Sequence, residues 1–128
     1  MTAVVEVVAA VVERDGRYLI TRRLEGTHLA GLWEFPGGKM LPGEKPEDAL
    51  RRELQEELGV QAEVGELIET VDWTYPEKGV RLLFFRCALR GEPCPRERQE
   101  MLWVEAARLS SYQFPAADLQ LIERLARA

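Results

Sequence analysis

Apolar residues dominate the start of the chain, where the run Val4–Val12 contains many β-branched side chains. Asp15 and Gly16 follow it, a dipeptide typical of tight hairpin turns, so the pattern predicts a strand that returns through Tyr18–Thr21. Shorter apolar runs bounded by glycine and proline predict further strands. These are Trp33–Phe35, Glu63–Tyr75, Val80–Leu89 and Met101–Val104, with a turn at Pro36-Gly37-Gly38.

A second period, that of the α-helix, occurs in two other segments. Pro46 favours the first turn of a helix and Gly59 favours its end, and between them leucines recur every four residues. These leucines are Leu50, Leu54 and Leu58, which predicts a buried stripe. A closing helix is predicted over Ala116–Ala128, with Leu119, Ile122 and Leu125 facing inward. Strands interleaved with two helices predict an α/β domain in which helices cover a mixed sheet.

Composition narrows the class of protein. The 128 residues suffice for one domain, 1–128, and 46% hydrophobic with 30% charged residues is typical of a soluble globular domain. A net charge of −5 argues against a nucleic-acid polymer as partner, and no apolar run reaches the roughly 20 residues of a membrane helix. The start lacks the pattern of a signal peptide. Cys87 and Cys94 are expected to be ordinary thiols, so a cytoplasmic location is predicted.

Three carboxylates of the first helix fall on one side of it. At about 100° per residue, Glu53, Glu56 and Glu57 lie within one arc that borders the leucine stripe, where water is partly excluded. Their mutual repulsion would be removed by a divalent cation, and oxygen ligands favour Mg²⁺ or Mn²⁺. The alternative is a solvated acidic face, and the spacing alone does not decide between the two.

Basic partners for these acids are unevenly distributed. Glu47 precedes Arg51, and Asp48 precedes Arg52, by four residues, the spacing of helical ion pairs. Arg52 and Glu56 have the same spacing in the less favourable order. The later acids of the helix are therefore less well compensated than the earlier ones.

The stretch Gly38–Val60 resembles a complete Nudix box. Every specified position matches: Gly38, Glu44, Arg52-Glu53-Leu54, Glu56-Glu57 and Gly59-Val60. The rest of the chain is similar to the MutT branch of this family at Ile20–Arg23, His28, Glu34–Lys39, Tyr75-Pro76, Trp103 and Phe114-Pro115. The resemblance implies the Nudix fold, an α/β/α sandwich with a mixed β-sheet between helices. It also implies Mg²⁺-dependent hydrolysis, with Mn²⁺ as a second possibility, of a nucleoside triphosphate to monophosphate and pyrophosphate.

The same resemblance assigns the machinery around the metal. The implied metal ligands are Glu53, Glu56, Glu57, Glu97 and the carbonyl of Gly37. Arg52 would hold Glu53 by a charge-assisted bond. Glu53, or a loop acid, would orient or deprotonate the attacking water; Glu97 is the candidate loop acid and Glu100 its competitor. Gly38 and Gly59 would serve backbone geometry, and Glu44 would support the helix entrance.

Substrate contacts are implied along the rest of the chain. They are Arg23, His28, Glu34, Phe35, Pro36, Gly37, Tyr75 and Asp118. Asp118 stands where relatives that remove 8-oxo-dGTP have an asparagine, and an ionised Asp offers only acceptors. Acceptors suit an exocyclic amine such as cytosine N4, so both 8-oxo-(d)GTP and modified (d)CTP stay open. A plain helix-capping role is the alternative for Asp118.

Two other functions share these features. An ADP-ribose or other sugar-nucleotide pyrophosphatase would use the same box, and a catalytically silent Nudix-fold binding module would keep the fold without the chemistry. The box acids are all present, which favours an enzyme. The expected partner is a nucleotide substrate, with no membrane, and the chain is expected to be a monomer or a homodimer.

Overall fold

The computed structural model describes residues 4–22 and 31–127. In these residues the strands are β1 Val4–Arg14, β2 Arg17–Arg22, β3 Trp33–Glu34, β4 Gly37–Lys39, β5 Gln61–Tyr75, β6 Lys78–Arg90 and β7 Met101–Glu105. The α-helices are α1 Pro46–Leu58 and α2 Leu119–Arg127, and short 3₁₀ helices span Ala106–Ser111 and Ala116–Asp118. No helix in the described ranges is long and apolar enough to cross a membrane.

The sheet has the strand order β3-β2-β1-β6-β5, and it is mixed as predicted. β1 runs parallel to β6, whereas β2, β3, β5 and β7 join antiparallel partners. The other edge of β1 is shared: β4 lies beside Val7–Ala9, and β2 lies beside Glu13 and Arg14. Between these two pairings the Ala10 N–H donates to the Pro36 carbonyl at 2.8 Å. The sheet therefore opens at this point, and β4 diverges from β2 with two glycines in its first positions.

Helices cover both faces of the central strand β1. Val8, Ala10 and Val12 pack in one core with α1, and Ala9 and Val11 pack in a second core with α2. Strands buried on both faces have continuous apolar sequences, which explains the unbroken run at the start of the chain. The predicted leucine stripe of α1 is confirmed, because all three leucines have no exposed surface. Cys87 is buried and Cys94 exposed, and both are free thiols.

Three local predictions were wrong. Gly37–Lys39 is a strand that pairs with β1 rather than part of a turn. The closing helix begins at Leu119, because Ala116–Asp118 forms a 3₁₀ turn first. Leu119 is 51% exposed, and Leu121 takes its place in the core beside Ile122. The 3₁₀ turn shifts the buried stripe of α2 relative to a helix that starts at Ala116.

Candidate active site

A cavity of about 300 Å³ lies on the α2 side of the sheet and reaches to α1. Its apolar wall is formed by alternate residues of β1 and β6: Val5, Val7, Ala9, Val80, Leu82 and Phe84. Its charged wall comprises Glu34, Glu53, Glu57, Glu97, Asp118, Arg22, Lys39 and Lys78. Acidic residues outnumber basic ones among these described wall residues. A polyphosphate would therefore enter this cavity favourably only together with cations.

Glu57 is the buried acid of this cavity. The residue is 9% exposed, and its Oε2 atom is buried without a hydrogen-bond partner. Burial, followed by the charges of Glu34, Glu53 and Glu97 and a hydrogen bond with Glu53, raises the pKa of Glu57 to about 10. Protonation of Glu57 relieves this repulsion, and a bound divalent cation would relieve it as well. An orphaned oxygen among carboxylates fits a hard, oxygen-preferring ion.

Arg52 links the loop before α1 to the acids on α1. Its Nε and Nη2 donate to the two carboxylate oxygens of Glu44 at 2.9 and 3.0 Å. Its Nη1 donates to Glu53 at 2.9 Å, which is the contact expected from the sequence. Arg52, together with the Leu41 N–H, holds the pKa of Glu44 below its usual range. Glu44 therefore acts as the anchor that fixes the guanidinium beside Glu53.

Glu56 lies elsewhere, contrary to the expectation that the three acids share the edge of the core. Its side chain is 54% exposed and is 3.4 Å from Arg52. At about 100° per residue Glu56 is roughly 160° from the centre of the leucine stripe, whereas Glu57 is about 60° from it. In the part of the chain that is described, no three acidic, cysteine or histidine side chains lie close enough to hold a metal ion as they stand. Metal binding would require these long side chains to converge.

The two candidate loop acids have different surroundings. Glu97 lines the cavity, and its charge contributes to the raised pKa of Glu57. Glu100 is absent from the cavity wall, and its carboxylate is 3.2 Å from the Arg22 guanidinium. The geometry therefore brings Glu97, rather than Glu100, to the acids of α1.

Aromatic residues also line the cavity. Phe35 is 2% exposed and packs between Phe114, stacked at a centroid distance of 5.5 Å, and Phe84, edge-on at 6.0 Å. Asp118 is 5% exposed and lines the cavity. The hydroxyl of Tyr75, another wall residue, accepts from the N–H of Ala117 at 3.4 Å. Phe35 lines the cavity as well, so it is a core residue that forms part of the wall.

The remaining predicted site residues have varied positions. Gly37 and Gly38 line the cavity, but Pro36 is buried outside its wall. Gly59 ends α1 in the left-handed conformation (φ 67°), with its N–H bonded to the Gln55 carbonyl at 3.1 Å. Arg23 and His28 lie outside the described residues.

Sequence reasoning missed several residues of the wall. These are Thr21, Arg22, Lys39, Lys78 and Gln99. For Lys78 a signal existed, because it alternates with Val80 and Leu82 along β6 and so shares their face. Gln99 had no such signal, because its segment is neither helix nor strand.

Comparisons with known proteins agree with this geometry. The family model described as a NUDIX domain matches residues 7–124. The 8-oxo-dGTP diphosphatase of Haemophilus influenzae is 44% identical over 124 residues, covering 95% of this chain and 91% of that protein. The CTP pyrophosphohydrolase of Escherichia coli is 38% identical over 120 residues, covering 93% and 89%.

Solved structures give the same result. The MutT protein of Methanosarcina mazei has a TM-score of 0.88 against this chain at 27% identity, covering 98% of this chain and 95% of that chain. The ORF135 protein of E. coli has a TM-score of 0.84 at 36% identity, covering 95% and 88%. The α/β/α fold is thus shared with solved structures that include a MutT protein. The chain belongs to the Nudix family, whose hydrolases generally need a divalent metal ion.

Proposed function

We propose that this chain is a MutT-type pyrophosphohydrolase that cleaves a nucleoside triphosphate to monophosphate and pyrophosphate. The observation that carries the proposal is the cavity itself: Glu53, Glu57 and Glu97 share its wall with apolar and aromatic side chains, and its volume of about 300 Å³ is within the range of small-ligand pockets. The relatives named above as diphosphatase and pyrophosphohydrolase support it, because they match nearly the whole chain. The substrates we propose are oxidised or modified nucleotides, either 8-oxo-dGTP or a 5-modified (d)CTP.

The residues that would hold the metal ion have distinct tasks. Glu53, Glu57, Glu97 and the carbonyl of Gly37 would hold Mg²⁺ or Mn²⁺, with Glu56 joining them by a change of rotamer. The bound cation would neutralise phosphate charge and polarise the reacting phosphorus. Either Glu53 or Glu97 would accept a proton from the attacking water as the new P–O bond forms and the bond to the departing phosphate group breaks.

Basic side chains provide the remaining charge. Arg52 donates a hydrogen bond to Glu53 and is itself held by a bidentate bond to Glu44. Arg22 and Lys39 lie in the cavity wall, where positive charge would meet the polyphosphate. Arg23 and His28 stay proposed substrate contacts on the basis of the family resemblance alone.

Asp118 and Tyr75, which line the cavity, would bind the base. Glu34 lines the same cavity, and its charge contributes to the raised pKa of Glu57. An ionised Asp118 would accept from the N4 amine of cytosine or from the protonated N7 of 8-oxoguanine. This is why both substrate classes are kept.

The biological setting follows from the substrate. We propose that the chain forms a single Nudix domain over 1–128 and acts on the nucleotide pool in the cytoplasm. The match of the family model to residues 7–124 supports the single domain. The fold itself is compatible with a monomer or a homodimer.

Rates on a small panel of substrates test the function. We would measure kcat/KM with Mg²⁺, and in parallel with Mn²⁺, on 8-oxo-dGTP, dGTP, dCTP, 5-methyl-dCTP and ADP-ribose, identifying products by mass. We expect one of the modified or cytosine triphosphates to exceed ADP-ribose by at least about 10-fold, the ratio a differential contact of about 1.4 kcal/mol provides. A lead for ADP-ribose would support the sugar-nucleotide alternative instead.

A variant separates enzyme from binding module. Glu53→Gln keeps the shape of the side chain but removes its charge, and it should abolish turnover while the circular dichroism spectrum stays that of the parent. Turnover of no substrate by the parent chain, with nucleotide binding intact, would support the silent module.

A further inference from the structure

Gln99 is a buried polar residue in the cavity wall whose side-chain amide is hydrogen-bonded at both ends. Its Nε2 donates to the backbone carbonyl of Glu57 at 3.1 Å, and its Oε1 accepts from the backbone N–H of Glu97 at 2.8 Å. The residue is 8% exposed. The opposite amide orientation would place oxygen against oxygen and N–H against N–H, so the two partners fix the positions of the amide oxygen and nitrogen of Gln99. One side chain therefore joins the acid-bearing helix to the loop acid.

The segment around Gln99 is docked on the C-terminal end of α1. The N–H of Cys94 donates to the Leu58 carbonyl at 3.0 Å, and the N–H of Arg96 donates to the Glu57 carbonyl at 2.9 Å. The last carbonyls of a helix have no partner within it, so this segment satisfies them. The two backbone bonds fix the chain as far as Arg96. Gln99 extends the attachment past Glu97.

The backbone bends between Arg96 and Arg98, next to Gln99. Arg98 has a φ of 63°, in the left-handed region that favours glycine over residues with a Cβ. This conformation lies between the Glu97 N–H and the Gln99 side chain that accepts from it. The two Gln99 hydrogen bonds offset the unfavourable conformation of Arg98. The position of Glu97 is thus maintained by a specific turn rather than by a regular element.

We propose that Gln99 is a positioning residue that holds the Glu97 carboxylate in register with Glu53 and Glu57. The proposal rests on the proposed function, since Glu97 matters to the reaction only as a metal ligand or water-orienting acid. Gln99 acts through the backbone of Glu97 and through the end of α1. Its loss should slow the chemical step and leave binding in the apolar part of the cavity nearly unchanged.

Gln99→Met removes both hydrogen bonds while preserving the length of the side chain. In the metal-free protein, NMR-detected exchange of the Glu97 amide should become about 5- to 10-fold faster, the change expected for one lost hydrogen bond. The amide of Cys94, which donates to the Leu58 carbonyl instead, serves as the internal control and should keep its rate. Unchanged exchange at Glu97 would overturn the proposal without reference to activity.

Kinetics with saturating Mg²⁺ provide the second readout. Gln99→Met should lower kcat about 10- to 100-fold, the range for a displaced catalytic group, and should change KM by less than about 3-fold. In the background of Glu97→Gln, the same substitution should lower kcat by less than about 2-fold, because the group that it positions is already gone. Equal losses in both backgrounds would show a merely structural role and would overturn the proposal.

The outcomes also separate this proposal from the proposed function. If Glu97→Gln turns over like the parent, the role assigned to Glu97 is wrong and the positioning role is wrong with it. If Glu97→Gln is impaired and the Gln99 substitution is additive, only the positioning role is wrong.

One further variant guards against misfolding, and another is a control at the neighbouring residue. Gln99→Asn stays polar but is too short to reach both partners, so it repeats the exchange and kinetic tests if Gln99→Met does not fold. Arg98→Gly keeps both hydrogen bonds and suits the positive φ, so it should leave kcat within about 2-fold of the parent.

Discussion

Gly38 lies directly against the carboxylate of Glu53. A Cβ built at Gly38 would be 2.7 Å from Glu53 Oε1 and would also overlap Cδ and Oε2. The glycine on β4 therefore leaves the space that the Glu53 carboxylate occupies beside the strand. The neighbouring Gly37 is small for another reason, because a Cβ there would be 2.8 Å from Ala9 Cα and would overlap the Val8 carbonyl oxygen. One glycine makes room for a reactive side chain, and the other for a backbone.

Gly38→Ala should impair catalysis more than stability. The new methyl group would displace the Glu53 carboxylate, which is the end of a flexible side chain and can move. We expect kcat to fall about 100-fold, as for a misplaced catalytic group, at a stability cost of about 1 kcal/mol. Steady-state kinetics and urea unfolding of the same protein check both numbers.

Gly37→Ala is the matched counterpart and should cost more stability than Gly38→Ala does. Its methyl group would meet the backbone of β1, which cannot move without breaking the pairing of β1 with β4. The free energy of unfolding should fall by about 3 kcal/mol or more. Equal effects of the two substitutions on stability would contradict the separate roles given to these glycines.

Arg52→Lys should weaken the attachment of the loop before α1 to the helix, and it should slow the reaction. A lysine cannot reproduce the fork that bonds both oxygens of Glu44 and one of Glu53, and the pair is largely shielded from water. We expect a loss of about 1–2 kcal/mol in unfolding free energy and at least about a 10-fold loss of kcat. Chemical denaturation and kinetics measure these changes.

Arg51→Lys provides the control for this experiment. Arg51 bonds Asp48 at 2.9 Å, but both side chains are at least half exposed. Such surface pairs contribute little, so stability should change by less than about 0.5 kcal/mol. A larger effect at Arg51 than at Arg52 would contradict the conclusion that the Arg52–Glu44 bonds contribute more to stability than the exposed Arg51–Asp48 pair.

Regular periodicity made much of the fold predictable. The leucines of α1 are spaced so that a helix buries them all, and the hairpin after β1 follows from Asp15 and Gly16. Asp15 adopts a positive φ of 54° there, as such turns require. Local rules sufficed because these elements are specified by residues adjacent in sequence.

Contacts between distant segments were less predictable. Spacing along the helix suggested Asp48 as the partner of Arg52, but Arg52 bonds Glu44, a loop residue eight positions earlier, and Asp48 pairs with Arg51. Gln99 joins a loop to a helix end 42 residues away. Such pairs depend on how the loops dock after the sheet has formed, and no local period encodes that geometry.

The metal-free protein should lose stability as pH rises, because of Glu57. Its pKa is raised from 4.5 to about 10, with burial as the main cause. Between these values the folded state holds a proton that the unfolded chain has released, so the contribution is complete below about pH 4.5 and is lost as pH rises through about 10. The slope of unfolding free energy from this group is at most about 1.4 kcal/mol per pH unit.

Divalent cations should reverse this trend. Cations bind ionised carboxylates, so the increase in Tm on adding Mg²⁺ should be larger at about pH 8.5 than at about pH 6. In Glu57→Gln the metal-free slope should flatten and the Mg²⁺ effect should shrink, whereas Glu47→Gln, at an exposed position of α1, should behave like the parent. An Mg²⁺ effect that does not vary with pH in the parent would contradict the role given to Glu57.

Asp118→Asn should change which base the enzyme prefers. Asp118 is buried in the cavity wall, and asparagine has nearly the same shape but adds a donor to the acceptor. If Asp118 accepts from cytosine N4, the ratio of kcat/KM for 8-oxo-dGTP to that for dCTP should rise by at least about 10-fold, within the range for one misread base contact. The ratio is the right quantity, because a general loss of activity cancels from it.

The same substitution distinguishes base reading from helix capping. Asp118 immediately precedes α2, and asparagine caps a helix about as well as aspartate. A capping role therefore predicts an unchanged Tm together with an unchanged substrate ratio, whereas base reading predicts an unchanged Tm with a shifted ratio. Asp72→Asn, at an exposed position of β5 paired with Arg81, should alter neither quantity. An unchanged ratio in Asp118→Asn would assign this residue to the start of α2 and leave base selection to other residues of the cavity wall.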